Sequence, residues 1–293
     1  MTNKLIKAMA FDGRIRAYVV NTTDVTNEAI KIHDLWPSAA SVLGKTMTIG
    51  LMMGAMLKGE EALTIKIDGN GPIGSVIVDS DSKGNVRGYV DKPHVHFSRQ
   101  NSLDDVTTLG ADGYIDVIKD LKLKDLYSST IPIQTGNLAK DFTYYFAISE
   151  QTPSIVALGT TINEDNTCKI SGGIIIQLMP GHLESDIVYL ENNYDVLNNF
   201  SFLLLKYPDL TDILRLIFED KFEVMEVMDV NFKCNCSKEK FARGIASLGK
   251  KEIQTMIDED GKAEATCHYC KKTYTYSKEE LLEIMRGLEK WKH

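Results

Sequence analysis

Cys234-Asn235-Cys236 and Cys267-His268-Tyr269-Cys270 stand thirty residues apart, and a fifth cysteine, Cys168, lies far upstream. Four thiols in two tight pairs are the donor set of a closed, tetrahedral, all-sulfur zinc site, the kind that builds structure and leaves no open position for hydrolysis. The second pair has ordinary zinc-ribbon spacing; the first, with one intervening residue, is tighter than the usual two to four. A thiol pair this close can also oxidise, in a small strained ring that is easily reduced. The spacing therefore predicts a zinc-bound thiolate state and admits a zinc-free disulfide state.

Working outward, residues 231–293 read as a small unit built around these thiols. Ser237 caps a helix with Phe241, Ile245 and Leu248 on one face, stopped by Gly249. A second short helix ends at Asp260-Gly261. Residues 263–266 and 273–276 read as a hairpin with the Cys267–Cys270 knuckle at its tip, and Ser277-Lys-Glu-Glu280 is a capping box before Leu281, Met285 and Leu288. About sixty residues make a thin core, so a metal worth roughly 10–16 kcal/mol would supply most of the folding energy.

Upstream, residues 183–230 carry eleven Asp/Glu against three Lys/Arg, while residues 231–293 carry thirteen Lys/Arg against ten Asp/Glu, in a chain of net charge −8. The acidic stretch reads as helical: Ile187, Leu190, Tyr194 and Leu197 mark one apolar face, and Leu210, Ile213, Leu214, Ile217 and Phe218 another. These faces must bury against something, either as a permanent subdomain or as a removable cover over the preceding domain.

Residues 1–180 read as one α+β domain on largely antiparallel sheet. Strands are expected at 4–11 and 14–20 around a two-residue Asp12-Gly13 turn, and at 63–67, 73–80, 86–90, 141–149, 155–162 and 168–177. Helices are expected at 24–35 and from Pro37 to about residue 58, the latter with Gly50 and Gly54 permitting close packing. The expected organisation is a mixed sheet/helix core domain (1–180), an acidic helical linker (181–230) and a C-terminal zinc-binding redox-switch domain (231–293).

At 293 residues with 43% hydrophobic and 25% charged content, the chain has the composition of a soluble globular protein. No run has the apolar length of a membrane helix. Residues 1–7 (MTNKLIK) lack an apolar signal core, and thiol pairs without an export signal point to the cytoplasm. Net acidity disfavours general nucleic-acid binding.

Several motifs dissolve on inspection. Gly69-Asn-Gly71-Pro-Ile-Gly74 satisfies GxGxxG but opens into the β-branched run Ser75-Val-Ile-Val-Asp79, not a helix. Gly44-Lys45-Thr46 ends like a phosphate loop but sits within a helical pattern whose amides are already bonded. No nucleotide site is expected. His94 and His96 alternate on an expected strand with no third ligand nearby, His268 is superfluous beside four cysteines, and Cys168 reads as a buried small apolar residue. Glu150 and Asp141 carry no sign of paired-acid catalysis, and neither a GxSxG elbow nor an HExxH helix occurs. The Met47, Met52, Met53 and Met56 face reads as core. The chain is expected neither to be an enzyme nor to carry a catalytic residue.

The chain resembles, over its whole length, the 33-kilodalton heat-shock proteins, the redox-regulated holdase chaperones of bacteria. The resemblance rests on the Cys-X-Cys and Cys-X-X-Cys pairs at this separation, on Phe232-Lys-Cys-Asn-Cys-Ser-Lys-Glu-Lys-Phe241 and Gly249-Lys-Lys-Glu-Ile253, and on core runs such as Leu43-Gly-Lys-Thr46, Gly54-Ala-Met-Leu-Lys-Gly59 and Phe142-Thr-Tyr-Tyr145. It implies that Cys234, Cys236, Cys267 and Cys270 hold one zinc in an idle reduced state. Oxidants would then form Cys234–Cys236 and Cys267–Cys270 disulfides and release the zinc. The tail and then the linker would unfold, dimers would form, and unfolding client proteins would be held without ATP, nucleic acid, nucleotide or membrane. Lys233, Lys238, Lys271 and Lys272 are placed to offset the charge of four thiolates. Two other classes compete. One is a zinc-ribbon nucleic-acid-binding regulator, with Tyr269, Tyr274 and Tyr276 stacking on bases; the other is a thiol-disulfide oxidoreductase using the CxxC pair.

Overall fold

The computed structural model describes residues 3–100 and 102–287. The chain divides into two units, Met1–Lys233 and Cys234–His293. In the first, β1 (Lys4–Ala10) and β2 (Ile15–Asn21) lead to α1 (Thr23–His33) and α2 (Pro37–Gly54). β3 (Ala62–Gly69), β4 (Ser75–Asp81) and β5 (Asn85–Val90) follow, then two short strands, β6 (Ser98–Arg99) and β7 (Ser102–Leu103), and α3 (Asp105–Leu109). Next come β8 (Gly113–Asp120), β9 (Tyr127–Pro132), α4 (Leu138–Ile148), β10 (Ser154–Ile162) and β11 (Cys168–Leu178). The acidic segment forms α5 (Glu184–Asn193), a 3₁₀ turn (Tyr194–Asn199), α6 (Phe200–Lys206) and α7 (Leu210–Phe218), followed by β12 (Phe222–Asp229) and β13 (Asn231–Phe232).

Two sheets organise this unit, one of order β10-β11-β2-β1-β12 and one of order β13-β5-β4-β3-β8-β9. Every pairing is antiparallel except that of β13 with β5. Helix α2 lies between the sheets, packed on β3, β4 and β5 on one side and on β10 and β11 on the other. All its residues but Pro37 and Lys45 are buried, as a helix apolar on every side must be. Its glycines admit the strands: a Cβ on Gly50 would stand 2.9 Å from Val78 Cγ1, and one on Gly54 only 2.6 Å from the Asp81 carbonyl oxygen.

The five-stranded sheet has two apolar faces, as the two-residue period of a strand allows. Leu5, Tyr18, Val20 and Ile175 face α2, while Ile6, Ala8, Ala17, Val19, Ile174 and Ile176 face away. The acidic segment covers that second face. The expected stripe Leu210, Ile213, Leu214, Ile217 and Phe218 is at most 2% exposed and packs there with Leu190, Leu197, Phe200, Leu203 and Leu204. Asp209 caps α7 by accepting from Thr211 N. Arg14 Nε donates to Asp186 Oδ2 at 2.8 Å and its Nη2 to Oδ1 at 3.2 Å, pinning the start of α5 to the β1–β2 hairpin. The Arg14 guanidinium holds the Asp186 carboxyl below its ordinary range. Of the expected apolar positions, the Tyr194 side chain and Leu288 lie outside the described residues.

Several expectations need correction. The strand expected at 141–149 is helix α4. Its aromatic run carries strand propensity, but Asn137 caps it by accepting from Lys140 N, and Leu138, Phe142, Tyr145 and Phe146 recur at helical spacing and are all buried. The segment holding His94 and His96 is not a strand; His94 Nε2 lies 2.8 Å from Asp34 Oδ2. The loop joining β1 to β2 is longer than a two-residue turn, with Phe11, Asp12 and Gly13 all at positive φ (50°, 55° and 86°). Helix α2 ends at Gly54, and the helical reading of the acidic segment ends at Phe218, because Phe222–Asp229 joins the sheet beside β1. Strands β8 and β9 had no expectation. The glycine loop joins β3 to β4 and Gly44-Lys45-Thr46 lies inside α2, as expected. No helix of the described residues is long and apolar enough to cross a membrane.

In the second unit, α8 (Lys238–Ser247), α9 (Lys250–Glu259), the hairpin β14 (Lys262–Thr266) and β15 (Thr273–Ser277), and α10 (Lys278–Arg286) surround a core that comprises, among the described residues, a cluster of eight buried hydrophobic side chains, including Ile245, Ile253, Tyr276 and Leu281. The capping box forms: Glu280 N donates to Ser277 Oγ and Ser277 N to Glu280 Oε2.

Candidate metal centre

Local chemistry positions each thiol. Ser237 accepts from Lys240 N at the start of α8, so Cys234 and Cys236 lie on the irregular arm just before a capped helix. Cys267 and Cys270 form the turn between β14 and β15, closed by Cys267 N donating to the Lys272 carbonyl and Lys271 N to the Cys267 carbonyl, each at 2.9 Å, with Lys271 at a φ of 57°.

The arm and the turn bring all four sulfurs within 4.8 Å of one another. Cys234 Sγ lies 3.7 Å from Cys267 Sγ, and Cys236 Sγ lies 3.4 Å from Cys270 Sγ. Four sulfurs at about 2.3 Å from a central zinc would stand about 3.8 Å apart along each tetrahedral edge. The cluster has that size. Cys267 is buried and the other three are half-buried, and the four are thiols rather than disulfides. The residues present therefore fit a thiophilic dication.

Cys234, Cys236 and Cys270 differ in how readily they ionise. Burial pushes Cys270 up to about 12, and burial likewise raises Cys234. Burial opposes ionisation of Cys236 too, but bonds from the Tyr274 hydroxyl and from the neighbouring thiols outweigh it and bring that group down to about 7.

The other candidates lie elsewhere. Cys168 sits in β11, its backbone N–H and carbonyl bonded to the Asn27 side chain, and burial raises its thiol to about 12. Among the described residues, no histidine joins the thiol cluster, and His268 is exposed. Of the lysines expected beside the sulfurs, Lys238 is committed to Glu280 at 2.6 Å, and Lys272 Nζ lies 5.1 Å from the Tyr274 ring centre. The nucleic-acid alternative has Tyr274 stacking on bases; in the structure its hydroxyl lies 3.3 Å from Cys236 Sγ. The alternation of Tyr274 and Tyr276 on a short strand, one face inward, was the available signal.

The chain is mixed α+β with a small unit in which four thiols converge, and comparison with known proteins assigns its family. The family described as Hsp33 protein matches residues 3–277, and the chain belongs to that family. It is 49% identical to the 33 kDa chaperonin of Bacillus licheniformis over 279 residues, 94% of this chain and 96% of that protein. It is 47% identical to the 33 kDa chaperonin of Geobacillus sp. over 292 residues, 99% of each. The crystal structure of the 33 kDa chaperonin (heat shock protein 33 homolog) from Thermotoga maritima superposes with a TM-score of 0.89 at 33% identity, covering 98% of both chains.

Proposed function

We propose that the chain is an ATP-independent holdase chaperone switched by oxidation of Cys234, Cys236, Cys267 and Cys270. The observation that carries this reading is the convergence of four sulfurs within 4.8 Å in a unit whose own core is thin, in a member of the Hsp33 family. A zinc bound there keeps the sulfurs as thiolates and supplies folding energy to the unit.

The chain's own residues then account for the switch. A thiolate of one pair attacks a peroxide oxygen, breaking the O–O bond to give a sulfenic acid and releasing hydroxide. Its neighbour displaces the sulfenic oxygen as water, leaving one disulfide for two electrons passed to the peroxide. The family resemblance implies that Cys234 pairs with Cys236 and Cys267 with Cys270. Within each pair the tether is one or two residues, which keeps the partners together once the unit loosens. Disulfide sulfurs no longer serve as thiolate ligands, and so thin a core does not hold a unit of about sixty residues alone.

The second element is the acidic cover. Helices α5–α7 bury an apolar stripe on the outer face of the five-stranded sheet, while carboxylates such as Glu184, Glu191 and Asp212 lie toward solvent and Asp186 is held by Arg14. Undocking exposes that sheet face and the stripe together, an apolar surface able to hold unfolding clients without a shaped pocket. Like-charge repulsion keeps the docked state marginal and the released segment soluble. Oxidised chains pair as homodimers, and the protein works in the cytoplasm. The test is light scattering from a thermally unfolding client in the absence of ATP, with reduced and with peroxide-treated protein, alongside metal and thiol counts. Suppression only after oxidation, with loss of metal and of four thiols, supports the reading; equal activity in both states refutes the switch.

A further inference from the structure

The two halves of the thiol cluster are held differently. Cys267 and Cys270 are placed by the backbone hydrogen bonds of a tight turn, whereas residues 233–237 form no regular structure. Two tyrosines of β15 bond to the chain around the start of α8: Tyr274 reaches Cys236 on the arm, and Tyr276 reaches Lys238, the first residue of α8. The Tyr276 hydroxyl donates to the Lys238 carbonyl at 2.6 Å, and the Tyr274 hydroxyl to the Cys236 carbonyl at 3.2 Å. Only Tyr274 also meets a sulfur, at 3.3 Å from Cys236 Sγ. Its ring is itself held, 5.4 Å from the Phe241 ring of α8.

We propose that Tyr274 is a positioning residue of the thiol site, which holds Cys236 against the other three sulfurs and so sets how tightly the site retains its metal and how readily Cys236 becomes accessible. The hydroxyl proton lies within reach of both the backbone and the sulfur of one residue, so it orients the arm as it contacts the ligand atom. Partners of this kind around metal ligands typically change metal affinity by about 10- to 100-fold when removed. The proposal rests on the metal-binding reading above.

The test uses the full-length reduced protein and Co²⁺ as probe, in wild type, Tyr274→Phe and Tyr276→Phe. Tyr274→Phe keeps the ring and its tilted packing against Phe241 and deletes only the hydroxyl. It should hold Co²⁺ about 10-fold more weakly in chelator competition. It should shift the sulfur-to-cobalt and d–d absorption bands, and it should raise alkylation of Cys236 relative to Cys270 when the metal is withdrawn anaerobically. Tyr276→Phe should leave the bands and the Cys236-to-Cys270 ratio as in wild type even where it lowers the unit's stability. A wild-type spectrum and affinity in Tyr274→Phe, equal acceleration at all four cysteines, or equal loss of fold in both variants overturns the proposal while the metal reading stands. A wild-type protein that takes up neither Co²⁺ nor Zn²⁺ overturns both.

Discussion

Undocking the acidic helices without touching a thiol separates the cover from the switch. Ile213 and Ile217 are one turn apart on α7, 0% and 2% exposed, and both pack in the second core beneath the five-stranded sheet. Truncating each to Ala removes three buried carbons and costs about 2–5 kcal/mol. Because the two side chains are neighbours whose cavities merge, the double variant should cost less than the simple sum, about 4–7 kcal/mol. A whole domain is stable by only about 5–15 kcal/mol, and a peripheral segment opens for less. The loss is therefore enough to undock α5–α7 while β3 and α2 stay folded. Leu216, on the same helix but 40% exposed, is the control: Leu216→Ala should change stability by no more than about 0.5 kcal/mol. Hydrogen exchange should show lost protection across residues 184–218 and intact protection across 62–69 in the reduced protein. With thiols and metal content unchanged, the double variant should suppress client aggregation without oxidant. A variant whose exchange proves the segment undocked, yet which gains no activity, would refute the cover reasoning and move client binding to the oxidised tail or to an oxidised dimer.

Single substitution of Cys234, Cys236, Cys267 or Cys270 by Ser should lower bound zinc, measured by atomic emission, whereas Cys168→Ser should leave it unchanged; full zinc in Cys267→Ser would remove the site as drawn. Stripping the metal with a chelator under reducing conditions should abolish exchange protection in residues 238–286 before any loss in 62–69, and the reverse order would contradict a metal-dependent tail. The Arg14–Asp186 pair makes the docking of α5 acid-sensitive. Because pairing lowers the Asp186 carboxyl, its contribution is intact above the ordinary carboxyl range of about 4 and is lost as pH falls through the lowered value. Asp186→Asn should remove that part of the acid transition, read as exchange protection in α5 against pH. Gly54→Ala should destabilise the first unit by about 1–3 kcal/mol in urea melts, since its methyl group would stand 2.6 Å from the Asp81 carbonyl; a neutral result would mean that β4 yields easily at that contact.

Much of this protein can be read along the chain because its signals are local. Pro37 opens α2, Ser237 and Ser277 cap α8 and α10, and the 210–218 stripe announces a helix with one buried face, because caps and amphipathic periods act within a turn or two. The four thiols and their spacing likewise name a metal chemistry before any fold is known. Distance in sequence defeats the same reasoning. Strand β12 exists because it pairs along β1, Lys4 opposite Asp229 across 225 residues, and no local pattern in an acidic, largely exposed stretch foretells that pairing. The aromatic run of α4 has the propensity of a strand; its cap and its burial in the core decide for helix, since burying Phe142, Tyr145 and Phe146 together outweighs the small differences in backbone preference. Which surface the acidic helices cover, and which tyrosine touches a sulfur, follow from sheet order and strand register, and those are settled only when distant segments compete for the same buried face.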